Sequence, residues 1–153
     1  MIEKITLKLP QWALENVILL NVRLNDRTLV RMMLDTWARY TVITPNIAER
    51  LALELADARR IPVATTSRVE LVPLTPLAQV DVYGLVLEHI EAVVIDLPPV
   101  LGVEGLLGMS FLGRCRLVLD VPKQVLELSL SQHKSECSTV AALVPAIVVN
   151  RGG

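Results

Sequence analysis

Aromatic residues are scarce in this chain, at 3% of 153 residues. A core must therefore be packed by Val, Leu, Ile and Ala. With 52% of residues hydrophobic there is material for one sizeable core in one domain. An excess of one charge is missing too. Fifteen basic residues face sixteen acidic ones, for a net charge of -1. No positive field exists to attract nucleic acid, and no polybasic stretch marks a membrane surface. Cysteine is limited to Cys115 and Cys137, with no C-x-x-C spacing. That argues for packed or idle thiols over a disulfide framework or a zinc site. His89 and His133 have no ligand spacing with each other or with the cysteines, so no metal is expected. The glycines form neither a phosphate loop nor a dinucleotide motif, and no cofactor is expected. Long apolar runs are missing as well. "VAALVPAIVV" (Val140 to Val149) is too short to span a bilayer and contains a proline. The start, "MIEKITLKLP", alternates charged and apolar residues where a secretory signal needs an apolar stretch. The expectation is a soluble, cytoplasmic protein that binds neither nucleic acid nor membrane.

What is present is mostly β pattern. "KITLKL" (Lys4 to Leu9) alternates with period two and puts Ile5, Leu7 and Leu9 on one face. "NVILLNVRL" (Asn16 to Leu24) reads as a second strand and "TLVRMMLD" (Thr28 to Asp35) as a third. Asn25-Asp26 between them tolerate the left-handed conformation a hairpin turn needs. "TPNIAERLAL" has helix-start chemistry: Thr44 as N-cap, Pro45 first in the helix, and Ile47, Ala48 and Leu51 on one face. From Ile61 on, β-rich segments return, with prolines as punctuation. "LVLEHIEAVVIDLP" is a long β-branched run that ends near Asp96. A short helix is predicted near Ser110 to Arg114. Two strands then flank a turn at Asp120 to Lys123. The tail from Ser131 starts polar and ends apolar, which fits an added strand or a loose end. The domain reading is 1-130 as the folded unit and 131-153 as a tail.

Asp35 is the first candidate site residue. It ends an apolar strand and precedes "ARYTVI". A carboxylate is costly to bury there unless it is hydrogen-bonded, paired or used. A turn aspartate capping nearby amides is the ordinary alternative. Further along, "GLLGMSFLGRCRLVLD" carries Gly105 and Gly108 around Leu106-Leu107, and glycines there permit close backbone approach. Gly108-Met109-Ser110 is not a nucleophile elbow, because Leu112 stands where the closing glycine belongs. Ser110 reads as a helix-start residue.

Taken together, "LDTWARYTVITPNIAERL" and "GLLGMSFLGRCRLVLDVPKQVLEL" resemble the retropepsin-like aspartic proteases, single-domain members of the aspartic protease clan. The family's D-T-G-A loop matches Asp35, Thr36 and Ala38. Its apolar-apolar-Gly motif matches Leu106, Leu107 and Gly108. The resemblance covers roughly residues 15 to 130. It implies an all-β, acid-protease-like closed barrel with one or two short helices, working as a two-fold homodimer. It also implies an aspartic endopeptidase. Two carboxylates share one proton, one activates a water, and the other donates to the peptide carbonyl. This chain has one Asp-Thr loop, so the second aspartate would be Asp35 of another copy. Thr36 would brace the two loops across the axis. The hairpin around Thr65, Ser67, Arg68 and Val69 would cover an extended peptide, with Ala38 beside it and Val69 and Leu71 favouring apolar side chains.

Two positions depart from the family pattern. Trp37 stands where the family has its loop glycine. Three outcomes follow: a loop dihedral that tryptophan tolerates with the ring turned outward, a ring filling the substrate channel, or a ring packed in the dimer interface. Ser67-Arg68 stands where a glycine is usual near the flap tip, and Arg68 reads there as a solvated charge. Both departures motivate an alternative: a weak or inactive protease-fold dimer acting as a peptide-binding or structural module.

Overall fold

The computed structural model of this chain describes residues 1–11 and 17–131. Its elements follow in the order β1 (Lys4–Lys8), β2 (Leu19–Leu24), β3 (Thr28–Leu34), β4 (Thr41–Ile43), α1 (Pro45–Arg50), β5 (Arg59–Ala64), β6 (Val69–Val82), β7 (Leu85–Val94), a single 3-10 turn (Pro99–Leu101), β8 (Gly105–Leu107), α2 (Met109–Leu112), β9 (Cys115–Asp120) and β10 (Val125–Leu130). The start of the expected second strand at Asn16, and Cys137, His133 and the tail beyond Ser131, lie outside the described residues.

Turn chemistry explains the connections. Asn25 and Asp26 both take left-handed φ, at 50° and 52°, and return β2 antiparallel onto β3. Tyr83 (φ 50°) and Gly84 (φ 96°) make the two-residue link from β6 to β7, where the Asp81 carboxylate accepts from the Gly84 N–H at 2.7 Å. Thr44 caps α1: its hydroxyl accepts from the Ile47 N–H, and Pro45 opens the helix without needing a donor. At the last hairpin the Asp120 carboxylate accepts from the Lys123 N–H at 3.0 Å, as the turn reading expected.

Six strands close into a barrel. The pairing runs β2-β3-β8-β4-β7-β6, and β6 comes back to β2 through Val22↔Val82. β5 extends the other end of β6 as a long hairpin. A separate three-stranded sheet, β1-β10-β9, closes the molecule from the side; Ile5, Leu126 and Leu128 bury its inner face in the main core. The barrel interior is filled by aliphatic side chains such as Leu24, Met32, Ile43, Leu77 and Ile90, with Phe111 the one fully buried aromatic among the described residues. That agrees with a composition in which aliphatics must pack the core.

Two expectations need correction. The prolines of the 69–82 segment do not punctuate it; β6 runs unbroken through Pro73 and Pro76. Pro73 faces Arg60 of β5 before the pairing to β7 begins at Leu74. Pro76 faces Glu91 of β7 after the pairing to β5 has ended. Each proline thus sits where the strand is paired on one side only, which is where a missing N–H is tolerated. The short helix spans Met109–Leu112, one to two residues earlier than expected, because its N-cap is Gly108 at the end of β8. No helix among the described residues is long and apolar enough to cross a membrane.

Candidate active site

Strand order creates the site. The chain runs from β3 through residues 35–40 into β4, yet the two strands are not neighbours. β8 lies between them, parallel to β3 (Met33↔Leu106, Leu34↔Leu107) and antiparallel to β4 (Val42↔Leu106). The 35–40 connection must therefore arch over the end of β8, where Gly108 follows. Leu106 and Leu107 are both buried, on opposite faces as period two requires. Leu107 enters the main core, and Leu106 enters a second cluster with Val42, Ile61, Val63 and Val72 beneath the β5–β6 hairpin.

Backbone bonds pin the arch at both ends. The Asp35 N–H donates to the Leu107 carbonyl at 3.0 Å, and the Met109 N–H donates to the Ala38 carbonyl at 2.7 Å. Inside the loop the Ala38 N–H donates to the Asp35 carbonyl at 3.3 Å. The Trp37 N–H donates to Asp35 Oδ1 at 2.9 Å. Asp35 is half-buried at the mouth of the barrel, with Thr36 and Trp37 exposed beside it and Ala38 buried behind. Gly108 has to be glycine for a spatial reason. A Cβ there would lie 2.3 Å from the Tyr40 carbonyl oxygen and 2.8 Å from that of Ala38.

Within the single subunit the Trp37 loop is free of left-handed backbone and its ring is exposed. Trp37 is not among the residues with positive φ, and its side chain is 76% exposed. The amide that holds the Asp35 carboxylate is preserved, because any residue supplies it.

A hydroxyl pair behind the loop carries no signal in either motif taken alone. Thr41 is fully buried. Its Oγ1 accepts from the Gly108 N–H at 3.3 Å and from Ser110 Oγ at 3.0 Å, while Ser110 Oγ accepts from the Thr41 N–H at 2.8 Å. This closed exchange staples the start of β4 to the start of α2, and with them the Asp35 loop to Gly108. Ser110 is indeed near the helix start, but its hydroxyl serves Thr41. The available clue was two hydroxyl residues, one a few positions after each motif.

The β5–β6 hairpin arches beyond the barrel. Thr65 and Arg68 close its tip: the Thr65 N–H and hydroxyl both donate to the Arg68 carbonyl, at 2.8 and 3.0 Å. Ser67 and Val69 are exposed, and Arg68 forms an ion pair with Glu70 at 3.3 Å, a solvated charge as expected. Val69 and Leu71 are exposed apolar residues on the same arm. His89 is exposed in β7, and its carbonyl and that of Glu88 accept from the Arg114 guanidinium. Burial pushes the Cys115 thiol up to about 11, against a smaller opposing pull from Arg114. No group of three or more His, Cys, Asp or Glu among the described residues is placed to hold a metal ion.

Residues 20–114 match the family model described as gag-polyprotein putative aspartyl protease. That span contains the Asp35 loop, the hairpin and the Leu106-Leu107-Gly108 strand, and it is more than half of the chain. The chain belongs to this aspartyl protease family. Solved structures agree on the fold. A retropepsin-like aspartic protease from Rickettsia conorii aligns at TM-score 0.63 and 23% identity, over 83% of this chain and 90% of that one. EIAV protease complexed with the inhibitor HBY-793 aligns at TM-score 0.51 and 22% identity, over 65% and 88%. The retroviral protease-like domain of Ddi1 from Leishmania major aligns at TM-score 0.51 and 13% identity, over 78% and 98%. No curated protein matches the chain at a significant level. The family and the closed retropepsin-like barrel expected from the motifs are thus present in this aspartyl protease relative.

Proposed function

We propose that the chain is an aspartic endopeptidase whose site is completed by a second copy. What carries this reading is the pinned Asp35 loop: a half-buried carboxylate at a barrel mouth, held through one oxygen by a backbone N–H, in a chain of this family. One carboxylate cannot act as both acid and base on the same bond. Two copies of Asp35 brought together across a two-fold axis share one proton because both cannot stay ionised at that distance. The ionised member takes a proton from water as the water attacks the peptide carbonyl, and the protonated member donates to the carbonyl oxygen.

Thr36 is exposed next to Asp35, and in this reading its hydroxyl braces the partner loop. Ala38, expected among the substrate-binding residues, is fully buried behind the loop, so in this reading its part is to hold the loop that the peptide meets. The hairpin tip with Thr65, Ser67, Arg68 and Val69 folds over an extended peptide held largely by main-chain hydrogen bonds. The exposed side chains of Val69 and Leu71 favour apolar substrate residues. In this reading residues 1-130 form the working domain, the tail from 131 is an addition to it, no cofactor takes part, and the enzyme is a cytoplasmic one. A second reading, a non-catalytic peptide-binding or structural dimer, is favoured by one observation: the exposed Trp37 ring beside the carboxylate.

Peptide-library cleavage read by mass spectrometry, from acid to neutral pH, separates the two. Cleavage by the natural protein that is lost in Asp35→Asn supports the endopeptidase. Cleavage by neither protein moves the function to the binding module. Cleavage by both sinks the role given to Asp35.

A further inference from the structure

Trp37 is a large apolar side chain, three-quarters exposed, on a loop pinned at both ends. The loop's hydrogen bonds hold its backbone, and most of its ring is left uncovered by its own subunit. An exposed indole on a rigid loop is a typical component of a contact surface, since tryptophan is enriched where interfaces concentrate their binding energy. Met109 is a second exposed apolar residue close by along the backbone bonds. Its N–H binds the Ala38 carbonyl one residue beyond Trp37, and its side chain is 41% exposed.

The dyad identifies what covers the ring. The Trp37 nitrogen lies 2.9 Å from Asp35 Oδ1, and two carboxylates sharing a proton approach within hydrogen-bond distance, so with the proton between the two Oδ1 atoms the two Trp37 nitrogens of a dimer lie about 9 Å apart. An indole reaches farther from its backbone than half that distance. Rings of that length turned toward the axis meet the opposite copy. We propose that Trp37 is the anchor by which two copies of this chain assemble the site, each indole packing on the partner's 35–40 loop and Met109 next to the two-fold axis. This rests on the dyad reading and extends it: the residue that replaces the loop glycine adds apolar contact at the point where the two carboxylates must be held together.

The test uses the full chain. Sedimentation velocity over a wide concentration range is run on the natural protein, Trp37→Ala, Trp37→Phe and Asp35→Asn, with circular dichroism to check folding. Alanine keeps the N–H that holds Asp35, so only the ring is lost. The expected result is a dimer whose Kd rises at least tenfold in Trp37→Ala, with partial recovery in Trp37→Phe. In parallel, a Trp12→Phe variant leaves Trp37 as the one indole. Its emission is expected to shift to the blue and its acrylamide quenching to fall as concentration drives dimerisation. A natural dimer that Trp37→Ala forms equally well, or whose Trp37 stays open to quencher, overturns the anchor and leaves the dyad standing. A natural protein that is monomeric at every concentration overturns the dyad reading and the anchor with it.

Discussion

Gly108→Ala should unfold the site from the inside. The added Cβ would meet the Tyr40 carbonyl oxygen at 2.3 Å and its carbon at 2.6 Å, where ordinary contact begins at 3.4 Å, so the arch must move by ~1 Å. It is not free to do so. The same backbone carries the Met109 to Ala38 bond and the Gly108 to Thr41 bond. Overpacking of this kind costs about 1–3 kcal/mol. Loss of the two hydrogen bonds adds about 1 kcal/mol each. The sum, about 3–5 kcal/mol, is a large part of a total stability of about 5–15 kcal/mol. Urea unfolding followed by circular dichroism should show a midpoint lower by about 2 M. Gly102→Ala is the control. Gly102 has φ 63° but nothing within 4 Å of its Cβ position, so alanine there costs only the left-handed backbone, about 1 kcal/mol. If the two variants lose stability equally, close approach at Gly108 is not what selects glycine, and the account of the arch is wrong.

Three further outcomes follow from the same geometry. Ser110→Ala leaves the Thr41 N–H without its acceptor and should cost about 1–3 kcal/mol in the same unfolding assay. A double-mutant cycle with Thr41→Val should show coupling above about 0.5 kcal/mol, since the two hydroxyls share one network. Arg68→Ala should change stability by less than about 0.5 kcal/mol, because its pair with Glu70 is solvated. Cys115, read alone in a Cys137→Ser variant, should react with iodoacetamide at pH 8.5 far more slowly in the folded chain than in urea. Burial favours the neutral thiol, with the folded value at about 11 against 9.0, so folding stability should fall as pH rises from 9 towards 11.

Local signals carried the elements well. Asn25-Asp26 turns where two residues that tolerate left-handed backbone adjoin, and Thr44-Pro45 opens a helix because one supplies a cap and the other needs no donor. Pro73 and Pro76 misled, because whether a proline breaks a strand depends on which side is paired, and that is a property of the neighbours. The role of Ser110 was hidden for a similar reason. Its partner Thr41 is 69 residues away along the chain.

For the site, sequence alone determined the chemistry on offer: one Asp-Thr loop, one apolar-apolar-Gly strand and a tryptophan in place of glycine. Their order in the chain was enough to suggest a single-domain aspartic protease. Only the tertiary structure decided how they meet. Placing β8 between β3 and β4 forces the Asp35 loop to cross Gly108, which makes any side chain there collide with the loop backbone. The same crossing pins the loop in a conformation tryptophan can adopt. Backbone strain depends on the φ a loop adopts, and this loop is pinned at its ends by hydrogen bonds between Asp35 and Leu107 and between Ala38 and Met109, 72 and 71 positions apart, beyond the reach of any local pattern.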